Sequence, residues 1–173
     1  AVEMVQHLLV ICLAGSFRRG LSQSGDIDCY LCVKNDKGVL QEIYETLLND
    51  EYIVEEDIFS LGKKKMMAVT RLPFLEEAKA RHLDVFVYPE KQYPFAILYA
   101  TGSGEFNVKM RNVAIKQGYS LSDQGIKVGD NKGEDIGKEL IHSKIGKDMI
   151  ETEKDIFRFL GMEYIEPKDR TPT

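Results

Sequence analysis

The sequence predicts an α+β fold in two parts, and three observations lead there. Short runs of strand-favouring residues at 27–33, 66–72 and 83–88 fill the first half. After Pro89 the pattern changes to helical spacing interrupted by turns. No repeat, heptad array or low-complexity tract cuts across this division. The boundary is placed at Pro89, with one part over 1–89 and a second over 90–173.

Taken in order, residues 4–13 are mostly apolar and read as a helix running into a short strand, ended by a turn at Gly15-Ser16. The strand at 27–33 carries Asp26 and Asp28 at its start, and i, i+2 residues of a strand share a face. Val39, Leu40, Ile43, Tyr44, Leu47 and Leu48 recur at helical spacing, which predicts an amphipathic helix packed on the sheet. Residues 52–58 read as another strand, and Lys63-Lys64-Lys65 as the tip of a hairpin. Beyond Pro89, helices are predicted over 94–99 and 105–117, the second ended by Gly118. Residues 129–147 hold four glycines and many charges, a loop or long hairpin. Thr152 caps a short helix with Asp155 reaching back. The polar tail after Pro167 reads as frayed.

With 43% hydrophobic and 29% charged residues, the 173-residue chain has enough apolar side chains for a sizeable core. No apolar run approaches the roughly 18 residues of a membrane span, so a soluble intracellular protein with no membrane partner is expected. Cys12, Cys29 and Cys32 leave an odd thiol under any pairing and read as buried free thiols. The net charge of −5 and pI near 5.3 argue against a domain that grips nucleic acid by total charge. Arg18, Arg19, Lys63, Lys64 and Lys65 nonetheless offer a local phosphate track.

The chemistry is concentrated in Gly15-Ser16-Phe17-Arg18-Arg19-Gly20, Gly25-Asp26-Ile27-Asp28 and a third acid, Asp84, on a later strand. A lone Asp-x-Asp is ordinarily a solvated strand edge, and a lone Gly-Ser a loop. Joined at this spacing they suit phosphoryl transfer, where two metal ions about 3.5–4 Å apart stabilise attacking and leaving oxygens. Two Mg2+ ions, or Mn2+ in their place, prefer carboxylate oxygens; Asp26 and Asp28 would hold both and Asp84 one. The Gly-Ser turn and Arg19 present N–H donors to a triphosphate.

These segments resemble the nucleotidyltransferase superfamily. The second half narrows the resemblance to family X DNA polymerases of the DNA polymerase beta type. It rests on Tyr99-Ala100-Thr101-Gly102-Ser103, Phe106-Asn107, Arg111, Glu153-Lys154-Asp155-Ile156-Phe157, Tyr164 and Glu166-Pro167-Lys168-Asp169-Arg170. The resemblance implies a nucleotidyltransferase palm, a mixed or antiparallel sheet with helices on one face, followed by a mainly helical thumb. It implies catalysis and metal binding by Asp26, Asp28 and Asp84. Gly15, Ser16, Arg19 and Gly25 would hold the triphosphate; Tyr99, Ala100 and Gly102 would lie at the sugar. Asn107 would bond the base edge, and Arg111 and His82 would face DNA. A cis peptide is implied between Gly102 and Ser103. Primer-template or gapped duplex and deoxynucleoside triphosphates are the implied partners, with repair proteins besides, acting on a monomer. The implied setting is the nucleus, with a mitochondrion or a viral origin as alternatives; the family's lyase domain and most of its fingers would precede Ala1.

Two positions depart from the pattern. Ala100 replaces a larger residue before Thr-Gly-Ser, which predicts weaker rejection of ribonucleotides. His82 stands where the family has an arginine that orients the third acid, which predicts a less firmly held Asp84 and more pH-sensitive activity.

Overall fold

The computed structural model describes residues 7–129 and 150–171. The chain forms two compact units: Ser22–Glu90 joined by the segment ending at Ala14, and Gly15–Leu21 joined by the segment from Lys91 onward. The chain therefore leaves the first unit after Ala14 and returns to it at Ser22.

In the first unit, strand β1 is Leu8–Leu13. Helix α1, Gly15–Arg18, follows in sequence but belongs to the second unit. Strand β2 (Asp26–Val33) leads to helix α2 (Val39–Asn49), then β3 (Ile58–Leu61), β4 (Lys65–Thr70) and β5 (Arg81–Pro89). They form one mixed sheet in the order β1-β2-β5-β4-β3, in which β2 and β5 are parallel and the other pairings antiparallel. Strand alternation sorts the side chains. Leu31, Val33, Met66, Val85 and Val87 bury against Val39 and Leu40 of α2, with Ile43, Tyr44 and Leu47 packed beside them. On the alternate positions Tyr30 stacks with Phe86 at 4.7 Å and Tyr88 at 5.8 Å.

Three expectations change here. The apolar start is a full six-residue strand over Leu8–Leu13, paired on β2; residues 1–6, where the helix was expected, lie outside the described residues. The run 52–58 is not one strand: Glu55–Asp57 form a 3-10 turn and β3 begins only at Ile58. Three consecutive carboxylates favour an exposed turn over a ladder, and the Tyr52 carbonyl instead accepts from the Arg71 N–H at 3.0 Å and Thr70 Oγ1 at 2.9 Å. Only Cys32 is buried, while Cys12 and Cys29 are half-exposed; none of the three is in a disulfide. Burial first, then Cys12, pushes the Cys29 thiol up to about 11; burial, then Glu90, does the same to Cys32.

The second unit holds α1, helix α3 (Tyr93–Thr101), helix α4 (Gly104–Lys116), a hairpin of β6 (Tyr119–Ser122) and β7 (Gly125–Val128), and helix α5 (Glu153–Phe159). Phe95, Leu98, Phe106, Met110, Ile126, Ile156 and Phe157 make its core. The peptide joining Gly102 to Ser103 is cis. Ser103 then caps α4, its Oγ accepting from the Phe106 N–H at 3.3 Å. Thr152 and Asp155 form the capping box of α5. The β6–β7 hairpin was not anticipated from the sequence, because its strands are four residues long and lack a clear alternation. The segment 129–147, read as a loop or hairpin, falls outside the described residues except at Gly129.

The tail is not frayed. Pro167–Asp169 form a 3-10 turn and Arg170 is 0% exposed. A guanidinium is kept inside because it is both paired and surrounded by π faces: Phe106, Phe157 and Tyr164 lie 5.4–5.6 Å from it.

Candidate functional site

The parallel pairing of β2 on β5 decides where the acids lie. Its register sets Asp28 opposite Asp84 and Asp26 opposite His82. Strands run about 4.8 Å apart, so these residues make two adjacent rungs on the sheet face away from α2. The third acid is thus not merely somewhere on the sheet but the direct neighbour of Asp28. Burial raises the Asp28 pKa, and the charges of Asp84 and Asp26 raise it further. Among the described residues, no three His, Cys, Asp or Glu side chains converge as a ready cation site. The three carboxylates share a face and feel one another without being gathered to one point. The donor set still fits hard divalent cations, which take carboxylate oxygens and would relieve the repulsion that raises Asp28.

His82 is exposed and its ring stacks on Phe59 of β3, 5.9 Å between centroids. The imidazole is thereby shared between the acidic face and an exposed aromatic.

In the second unit, α1 opens at Gly15 with φ +61, a left-handed conformation that glycine adopts readily. The short helical turn directs Arg18 and Arg19 to the Thr101–Ser103 turn. Arg19 Nη1 donates to the Thr101 carbonyl at 2.6 Å. Arg18 Nη1 donates to Thr101 Oγ1 at 2.7 Å, and Arg18 makes a two-pronged ion pair with Glu153. Arg170 Nη1 donates to the same Glu153 at 2.7 Å. Burial alone would raise the Glu153 pKa; the hydrogen bonds and charges of Arg18 and Arg170 overcome it and hold the carboxyl below its ordinary value.

Arg18 is therefore tied into an internal network with Thr101 and Glu153. Glu153 and Arg170 were not among the site residues predicted. Nothing in the spacing of positions 18, 153 and 170 links them, since the link exists only after folding.

Of the remaining predicted residues, Tyr99 and Ala100 lie at the end of α3, Gly102 just after it, and Asn107 and Arg111 on α4. Asn107 donates from Nδ2 to the Tyr99 carbonyl at 2.8 Å, and the Arg111 guanidinium lies 5.8 Å from the centre of the Tyr99 ring. Tyr99, Asn107 and Arg111 line a cavity of about 10 Å³ with Phe95, Leu98 and Met110, room for one water at most. Gly102 has φ +65, and a Cβ there would stand 3.1 Å from Arg19 Nη1. A Cβ on Gly25 would meet nothing within 4 Å, so the protein itself does not require glycine there. Lys63 and Lys64 lie at the β3–β4 turn as expected, whereas Lys65 begins β4 and sets its Nζ 5.4 Å from the Phe86 ring.

A mixed sheet with three carboxylates on the face away from α2, and a helical unit built on a Thr-Gly-Ser turn, define a nucleotidyltransferase palm followed by a thumb. Residues 1–90 match the DNA polymerase beta palm family and residues 96–171 the DNA polymerase beta thumb family. The chain belongs to the family X DNA polymerases. It is 32% identical to DNA polymerase lambda of Rattus norvegicus over 93% of this chain and 29% of that one. It is 28% identical to DNA polymerase lambda of Arabidopsis thaliana, over 97% of this chain and 33% of the relative. The DNA polymerase type-X family protein pol4 of Schizosaccharomyces pombe is 30% identical over 92% and 32%. The chain thus spans about a third of the length of the curated relatives it matches.

Proposed function

We propose that this chain is the catalytic part of a DNA-directed DNA polymerase that extends a primer 3′-hydroxyl, acting in gap-filling repair in the nucleus. The observation that supports it most is the β2–β5 register, which makes Asp26, Asp28 and Asp84 neighbours on one face. Two divalent ions held by these carboxylates would supply the charge stabilisation that phosphoryl transfer requires. Asp84 accepts the primer hydroxyl proton; the 3′-oxygen bonds to the α-phosphorus and pyrophosphate leaves. Gly15, Ser16, Arg19 and Gly25 hold the triphosphate, Tyr99, Ala100 and Gly102 bear on the sugar, and Asn107 on the base. Arg111 and His82 contact DNA.

The test is primer extension on a gapped or primed duplex with Mg2+, the four deoxynucleotides being supplied singly to the wild type and to Asp84→Ala. Extension by the template-complementary nucleotide alone, absent in the variant, is the expected result. Untemplated addition would make the protein a terminal transferase instead. Duplex binding with no extension would leave a DNA-binding module.

A further inference from the structure

The tail holds a fully buried arginine that no step above uses, and its partners all lead to one place. The Arg170 carbonyl accepts from the Ser103 N–H at 3.0 Å, directly after the Gly102–Ser103 peptide. The Arg170 side chain donates from Nε to the Ile165 carbonyl at 2.9 Å and from Nη1 to Glu153 at 2.7 Å. Its Nη2 has no hydrogen-bond partner and is buried among the three aromatic rings. Glu153 hands the contact on to Arg18, which reaches Thr101 Oγ1; Thr101 Oγ1 in turn donates to the Ile97 carbonyl at 2.6 Å. The turn from Thr101 to Ser103 is thus gripped at one end by the Arg170 backbone and at the other, through Glu153 and Arg18, by the Arg170 side chain. Arg18 also carries the segment Gly15–Leu21 on the same network.

We infer that Arg170 is a positioning residue for the incoming nucleotide: it sets the Thr101–Gly102–Ser103 turn and the Gly15–Arg19 segment as one piece, so nucleotide affinity depends on the tail. The inference rests on the assignment of those two segments to nucleotide binding. A planar, multi-donor guanidinium is needed, because it must serve a carbonyl and a carboxylate at fixed angles while lying against aromatic faces. A lysine keeps the charge but not the fork.

The test is equilibrium titration of a fluorescent non-hydrolysable deoxynucleoside triphosphate onto this chain with Mg2+ and primer-template, for the wild type, Arg170→Lys, Arg18→Lys and the double variant. Duplex affinity and melting temperature are measured alongside. Arg170→Lys is expected to weaken nucleotide binding about tenfold, the size of one charge-assisted hydrogen bond, with duplex affinity unchanged. The double variant should lose much less than the product of the singles, because both act through Glu153. Wild-type nucleotide affinity in Arg170→Lys, or a loss that only follows its melting temperature, would overturn the inference. A wild type that binds no nucleotide would overturn both this inference and the site assignment, whereas binding without extension would overturn neither.

Discussion

Two groups of carboxylates in this chain are handled in opposite ways. In the first unit Asp26, Asp28 and Asp84 are set side by side, and Asp28 is held above its ordinary pKa by burial and by the charges of the other two. In the second unit Glu153 is more deeply buried, yet two arginines keep it ionised and below its ordinary value. A fold that satisfies a buried carboxylate internally uses it as structure. A fold that sets three of them side by side leaves their mutual repulsion in place, which is what the proposed cation site would use.

Breaking each group should therefore have opposite consequences. Asp28→Asn should cut primer extension by about 10²–10³-fold or more, as loss of a preorganised charge does, without lowering the melting temperature. Steady-state extension rates and a thermal melt read both; a clear fall in stability would erase the contrast. Glu153→Gln should do the reverse at the level of stability. It leaves two guanidinium groups without their carboxylate, one of them fully buried, and should cost about 3–5 kcal/mol in denaturant unfolding.

Acid sharpens the same contrast. Glu153 has a folded pKa below its unfolded one, so its stabilisation is complete above the unfolded value, about 4.3, and is lost as pH falls through the folded value. Asp28 has a raised folded pKa, so its contribution is complete below the unfolded value, about 3.9, and is lost as pH rises through the folded one. Melting curves between pH 3 and 7, about the span these groups cover, should show acid sensitivity relieved in Glu153→Gln. In Asp28→Asn the gain over the wild type should grow as pH rises.

Two smaller effects test the turn between the arginines. Gly102→Ala places a Cβ 3.1 Å from Arg19 Nη1 at a positive φ and should cost about 1–3 kcal/mol, measured by unfolding. Ala100→Phe should raise the preference for deoxynucleotides over ribonucleotides about tenfold in single-nucleotide extension. A wild type already strongly selective against ribose would remove the reason to expect it.

The acids were legible before folding because Asp26 and Asp28 are two residues apart on a strand, and the period of the strand alone puts them on one face. Asp84 was legible as a candidate only. Helices α2 and α4 followed from their spacing, and the α5 cap from Thr152 and Asp155. The run 52–58 was misread because apolar Tyr52, Ile53 and Ile58 outweighed three acids that prefer a turn. The tail was misread because a polar composition says nothing about whether an arginine is paired.

What the sequence by itself determined is what lies within a few residues: the strand carrying Asp26 and Asp28, the turn glycines, the helical stripes and the family to which they belong. Only the tertiary structure decided that Asp84 lies across from Asp28, that Arg18 pairs with Glu153, and that Arg170 closes on Ser103. Local pattern is set by the geometry of one chain segment, whereas register and buried ion pairs join positions as far apart as 18 and 153, and no spacing rule links those before the chain has folded.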